Sequence, residues 1–366
     1  MNKNIRKAYH PSEFIKDYLE AIEMTQDEFA KRLGISGKQL SLILSENASI
    51  TVDIAYKLSK LIGTSAQLWL NLQNRYDTYQ LYLKEQEQLE EEMSYFKMID
   101  KKFLNKLNIV KKTDKKDEIL SNICRTLKVS SLKLLQQPDI QCFYRTSVTQ
   151  EENIENIVCR NVWVSLAVNI AKKQKVNEFN EEKLLNYIDR FKSFTTTSPE
   201  IFYPQLKNML SECGVSLVIL PTLKNANISG VVKWIDSSRV MMALNTKEAY
   251  NDVFWFNFFH ELKHVLQKAK RKMIIGEENV SPNYEIALEY EADLFAKETL
   301  IASNDFIKLN SYDEESVVAF AKSINIHPGI VVGRLQKENK IPYSRLNHLK
   351  EKYEINIEDQ LDSNLA

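Results

Sequence analysis

The run FWFNFFHELKHVLQ, residues 254–267, constrains this chain more than any other stretch. Its aromatic and aliphatic residues crowd a helix that has to sit in a core. Yet that helix carries His260, Glu261 and His264. Buried polar groups of this kind need partners or a metal. Residues four apart share one helical face, one turn along, so His260 and His264 can grip one ion from a rigid base. Zinc accepts neutral imidazole and takes three protein ligands at a catalytic site. Glu261 projects to one side of the pair, where a base acting on water belongs. This is the H-E-x-x-H logic of metal-assisted hydrolysis. The plainer alternative is a pair of satisfied structural histidines.

A third ligand has to come from elsewhere. The segment EYEADLFA offers Glu289, Glu291 and Asp293. Glu289 and Asp293 lie four apart and share a face, whereas Glu291 points away. Glu289 is therefore the expected third zinc ligand. Asp293 is placed to accept a hydrogen bond from the outer nitrogen of a ligand histidine, with His260 the expected partner. The bland reading of this segment is a solvated acidic face. No oxyanion donor stands out. Tyr284, His327 and His348 qualify on chemistry alone, and each also suits a structural or surface role.

The other end of the chain has a different texture. In TQDEFAKRLGISGKQLSLIL, Thr25 is a candidate N-cap and Glu28 completes a capping-box pattern. Gly34 stops the first helix, and Ser36 can cap the second. Ala30 is small where the two helices cross, and Leu33, Ile35, Leu40 and Ile43 are apolar pins. A helix, a glycine turn and a second helix make a helix-turn-helix, whose second helix reads the major groove. Gln26 opens the first helix, where it can reach phosphate. Ser36, Lys38, Gln39 and Ser41 lie along the start of the second, as candidate DNA-binding residues. Lys31 and Arg32 suit either backbone contact or a solvated face. A helical bundle used only for protein contact is the competing reading.

Between these ends lies a helical stretch rich in Lys, Glu and Gln, with no sustained heptad. NIVCRNVWVSLAVNIAKKQ has an apolar face at Ile157, Val158, Val162, Leu166, Val168 and Ile170. After Pro199, three short β-like runs at 215–221, 229–235 and 239–245 imply a small sheet. Helices are expected at 253–269, 284–301, 313–323 and 328–338. The expected architecture is multidomain and mainly α: an all-α head at 1–76, a helical linker or scaffold at 77–197, and an α+β domain at 198–366.

Charge favours no partner, since Lys plus Arg and Asp plus Glu both total 49. The head is only mildly basic, with ten Lys/Arg against eight Asp/Glu over residues 1–75. Specific DNA binding by it implies a homodimer. Cys124, Cys142, Cys159 and Cys213 form no CxxC pair. Neither a disulfide framework nor a zinc knuckle is implied, and a reduced cytoplasmic setting is expected. No apolar run is long enough to span a membrane, and MNKNIRKAYHPSEF has no secretory pattern.

Two resemblances follow from these blocks. FWFNFFHELKHVLQ with EYEADLFAKETLI resembles the ImmA/IrrE zinc metallopeptidases, and GVSLVILPTLKNANISGVVKWI and IHPGIVVGRLQKENKIPYSRLNHLK agree in the same order. The resemblance implies a zincin-like domain with His260, His264 and Glu289 on Zn2+ and Glu261 as general base. Lys263 departs from it, standing where the family has a small glycine. NTKEAYND replaces a basic stretch ahead of the helix. Residues 10–77 resemble HigA-type helix-turn-helix antitoxins, which implies a lambda-repressor-like head on double-stranded operator DNA. Together these imply a transcriptional regulator of antitoxin type that carries a zinc-dependent metalloendopeptidase acting on a protein substrate. Alternatives are a non-enzymatic scaffold that uses the zinc domain to bind a partner toxin, and a protease whose head only recruits a substrate such as a repressor.

Overall fold

A computed structural model of the chain describes residues 7–111, 115–137, 153–245, 250–268 and 282–355. Cys142 lies outside them. The chain divides into two compact units, Met1–Met93 and Ser94–Ala366.

Among the described residues, the first unit has helices and no strand. Helix α1, Pro11–Ala21, starts at His10, whose Nδ1 accepts the Ser12 amide at 3.1 Å. Helix α2, Gln26–Leu33, is capped by Thr25, which accepts from the Glu28 amide at 3.3 Å. The helix ends at Gly34, with φ 69° and ψ 39°, a left-handed turn that suits glycine. Ser36 then caps α3, Gly37–Leu44, by accepting the Gln39 amide at 3.1 Å. Thr51 caps α4, Val52–Ile62. Phe29, Ala30, Leu33, Leu40 and Ile43 are buried together with Ile15, Ile54, Leu58 and Trp69. The capping box expected at Thr25 is only half built. The Glu28 carboxylate turns to Arg32, 2.6 Å away, so an ion pair one turn along replaces the contact with the cap.

Helix α5, Ala66–Met98, runs unbroken for 33 residues. No glycine or proline interrupts it.

The second unit opens with α6, Lys101–Lys106, α7, Lys116–Leu127, and α8, Ile154–Lys173. Helix α8 departs from its expected single apolar face. Every residue from Val158 to Val168 is buried, Arg160, Asn161 and Ser165 included. Several elements surround it at once: α7, the short 3-10 turn Leu132–Gln136, and two strands. Its polar groups are met by backbone from distant sequence. Asn161 Nδ2 donates to the carbonyls of Leu135 at 2.7 Å and Gln137 at 2.9 Å. Trp163 Nε1 donates to Pro221 at 3.0 Å.

Helices α9, Glu181–Asn186, α10, Ile188–Ser193, and α11, Pro199–Glu212, lead into the sheet. Its strands are β1, Val215–Leu220, β2, Gly230–Trp234, and β3, Val240–Asn245, in the order β1-β3-β2. β1 runs parallel to β3, with Val215 opposite Val240, and β2 runs antiparallel, with Gly230 opposite Leu244. Every residue of β1 and β3 is buried. Successive strand residues face opposite sides, so both faces of the sheet are covered. Helix α8 packs on β1 and β3, and α12, Asn251–Gln267, packs on β2 and β3.

Helix α12 is held along its length and at its start. Along it, Phe254, Trp255, Phe258 and Phe259 are buried, and ring centroids of Phe202, Phe254, Trp255 and Tyr353 approach within 5.0–5.8 Å. Fully burying each such ring contributes roughly 1.5–3 kcal/mol. At its start, the segment 350–353 straps over it. The Asn251 amide donates to Glu351 O at 2.8 Å, Lys350 pairs with Asp252 at 2.6 Å, and Trp255 Nε1 donates to Tyr353 at 3.0 Å. Helix α13, Pro282–Leu300, lies alongside α12. Helices α14, Ser303–Phe306, α15, Glu314–Ser323, and α16, Pro328–Lys337, complete the unit. No single helix among the described residues is long and apolar enough to cross a membrane.

Candidate functional site

Helix α12 brings His260 and His264 to one face with their Nε2 atoms 3.0 Å apart. From α13, the Glu289 carboxylate reaches both, Oε2 at 3.4 Å from His260 Nε2 and Oε1 at 3.3 Å from His264 Nε2. The two imidazoles are mostly buried and Glu289 is half-exposed, so the group opens to solvent on one side.

Asp293, one turn beyond Glu289, meets the outer edge of His260, with Oδ1 2.8 Å from Nδ1. A carboxylate only accepts, so Nδ1–H donates and the Nε2 lone pair faces inward. Burial draws the His260 imidazole below its ordinary pKa of 6.5, and the Asp293 carboxylate opposes this. The neutral ring that results is the form that binds a metal.

These facts test the fit of a zinc ion. Tetrahedral zinc with ligands at about 2.0–2.1 Å sets its donor atoms roughly 3.3 Å apart. The separations here, 3.0, 3.3 and 3.4 Å, match that edge. Where the His260 lone pair faces a Glu289 oxygen, acceptor meets acceptor, an arrangement that a cation relieves. Two imidazole nitrogens and one carboxylate also form a donor set that zinc favours.

Glu261 points to the sheet side and is buried. Its carboxylate lies against Gly230, the first residue of β2, where an added Cβ would come within 2.6 Å of it. Glu291 faces away from the histidines and toward Lys263, 3.7 Å off. Lys263 Nζ also stands 5.8 Å from the Phe295 ring centroid. The lysine that replaces the small residue thus spans from α12 to α13.

Gln267 escaped the sequence reading. Its Oε1 is 2.8 Å from His264 Nδ1, and its Nε2 donates to Leu288 O at 2.8 Å and Glu291 Oε2 at 3.3 Å. The i, i+3 spacing from His264 was its only sequence signal.

The remaining histidines sit elsewhere. His327 caps α16 by accepting the Gly329 amide at 3.1 Å, and exposed His348 lies 3.0 Å from Glu314. The side chain of Tyr284 lies outside the described residues. In the head, Gln26, Lys38, Gln39 and Ser41 are all exposed on α2 and α3. Ser36 is exposed too, but its hydroxyl is engaged as the cap of α3. Lys31 is exposed, while Arg32 is tied to Glu28.

Comparison with known proteins identifies both parts. A helix-turn-helix family model matches residues 15–69, and the IrrE N-terminal-like domain of the M78 peptidases matches residues 213–336. Virulence-associated protein I of Dichelobacter nodosus is 37% identical over 76 residues, 20% of this chain and 70% of the relative. The uncharacterized HTH-type transcriptional regulator YddM of Escherichia coli is 39% identical over 64 residues, 18% of this chain and 68% of that one. Among solved structures, an addiction module antidote protein of a HigA family from Coxiella burnetii is 33% identical, covers 24% of this chain and 95% of its own, and has a TM-score of 0.22. The head is a helix-turn-helix domain of the transcription-regulator class. The chain belongs to the family of helix-turn-helix transcription regulators, with an IrrE-like domain following that head in the sequence.

Proposed function

We propose that this chain is a cytoplasmic, homodimeric, sequence-specific DNA-binding regulator of antitoxin type that also works as a zinc-dependent metalloendopeptidase. The observation that carries the enzymatic half is the meeting of His260 Nε2, His264 Nε2 and the Glu289 carboxylate within 3.0–3.4 Å. These three would hold zinc. The ion supplies Lewis-acid activation of a peptide carbonyl and of water.

Glu261 acts as the base. It takes a proton from the attacking water as the water oxygen bonds to the carbonyl carbon. It returns that proton to the amine nitrogen as the C–N bond breaks. Its burial against Gly230 fixes where the carboxylate stands.

Strand β2 holds the substrate. β3 is central and paired on both sides, whereas β2 is an edge strand and starts beside Glu261. An extended peptide adding to β2 would pass the base.

In the head, Gln26 contacts phosphate and Lys38, Gln39 and Ser41 meet base edges of operator DNA. Ser36 contributes by capping the reading helix. As a regulator of antitoxin type, the chain takes a toxin as its protein partner.

The test compares the zinc content of the purified full-length chain with that of His264→Ala, and adds Glu261→Gln. Stoichiometric zinc in the parent, none in His264→Ala, and a zinc-loaded but inactive Glu261→Gln are the expected results. A parent without zinc, whose stability does not respond to chelation, would sink the metal reading. A zinc-loaded parent whose cellular function survives Glu261→Gln would sink the peptidase reading. For the head, Lys38→Ala with Gln39→Ala should abolish the gel shift of DNA from the chain's own promoter. A retained shift would refute the assigned reading helix.

A further inference from the structure

Gln267 does more than fill space beside the histidines. Its two amide ends are distinguishable here because their neighbours differ in kind. Leu288 O and Glu291 Oε2 only accept, and both lie on one side, at 2.8 and 3.3 Å. The NH2 group must therefore face them. The oxygen is left facing His264 Nδ1 at 2.8 Å. An amide oxygen only accepts, so His264 carries its proton on Nδ1. Its Nε2 is then a lone pair aimed at His260 Nε2 and Glu289 Oε1.

We infer that Gln267 is a positioning residue for the metal centre. It selects the Nδ1–H tautomer of His264 and fastens that ring to the backbone of the neighbouring helix. The inference rests on the metal-centre reading above. Asp293 performs the matching task for His260, but from α13 toward α12. Gln267 reaches the other way, from α12 to α13. It takes hold at Leu288, the residue just before Glu289. One amide thus fixes the orientation of one ligand and the backbone position of another. Groups that hold the outer nitrogen of a ligand histidine typically change metal affinity by about 10–100-fold when removed.

The experiment uses the full-length chain labelled with 15N at histidine, in the metal-free state, together with Gln267→Met and Gln267→Glu. Methionine keeps the length and loses both amide functions. Glutamate keeps an acceptor for His264 and loses the donor to Leu288 O. Long-range 1H–15N correlation spectra report the tautomer of each ring, and the His260 pattern serves as an internal check on folding. Zinc alone, titrated against a chelating dye, reports affinity.

The parent should show His264 in the Nδ1–H form. Gln267→Met should lose that single pattern, keep the His260 pattern, and bind zinc about 10–100-fold more weakly. Gln267→Glu should keep the His264 tautomer and fall between the two in affinity. A Gln267→Met chain with the parent's tautomer and zinc affinity would overturn the inference. A parent that takes up no zinc would instead defeat the metal reading, while the tautomer spectra still decide whether Gln267 governs His264.

Discussion

Gly230 lies so close to Glu261 that a Cβ on the glycine would fall 2.6 Å from the carboxylate oxygen. The first residue of an edge strand therefore sets the position of the proposed base. Gly230→Ala forces Glu261 aside, since the three atoms nearest to the added Cβ all belong to that side chain. Zinc content should stay at the parent level. Hydrolysis of a quenched-fluorophore peptide library should fall about 10²-fold, the cost of a displacement near 1 Å. Parallel metal analysis and turnover measurements on parent and variant check this.

The metal should also act as a fold ligand. An ion that binds only the native state at 100 times its Kd adds about 2.7 kcal/mol. Zinc should raise the thermal midpoint of the parent and leave that of His264→Ala unchanged. Scanning calorimetry with and without a chelator reads this directly.

The head should lose stability in mild acid. His10 is buried, and burial lowers its imidazole below the ordinary 6.5, with Glu46 and Asp77 opposing. The folded state thus prefers the neutral ring, whose Nδ1 accepts the Ser12 amide. The stabilisation is complete above pH 6.5 and is lost as pH falls through the lower folded value. His10→Asn keeps a capping acceptor that does not titrate. Hydrogen exchange of α1 amides should accelerate on acidification in the parent, and this acceleration should shrink in the variant.

The strap at 350–353 depends on a nearly buried ion pair. Lys350 and Asp252 are 2.6 Å apart, with side chains only 12% and 10% exposed. Lys350→Met leaves the Asp252 carboxylate unpaired and should cost about 3–5 kcal/mol. Lys350→Met combined with Asp252→Asn should recover much of that loss. Urea unfolding followed by tryptophan fluorescence distinguishes the two variants.

What the sequence disclosed depended on how far each interaction reaches. Thr25, Gly34 and Ser36 were readable because a cap and a left-handed stop act within a few residues. The three strands were readable from short β-branched runs between turns. The spacing of His260 and His264, and of Glu289 and Asp293, follows from one helical turn. Glu28 was misjudged because two local partners compete for it, and Arg32 took the carboxylate. The full burial of α8 was hidden, since the carbonyls that satisfy Asn161 and Trp163 come from 24 to 58 residues away. Gln267 was hidden for the same reason: its partner Leu288 lies 21 residues on, in another helix.

The strap over α12 also imposes an order on synthesis. The head's buried cluster is complete once Trp69 has emerged from the ribosome. Helix α12 must wait for residues 350–353, whose carbonyl, ammonium and phenol close its first turns. Domains made first generally fold first. A nascent chain would therefore own a finished helix-turn-helix head for about 280 residues before its proposed metal centre could be secured. A chain cut short before the strap would keep the first property and lose the second.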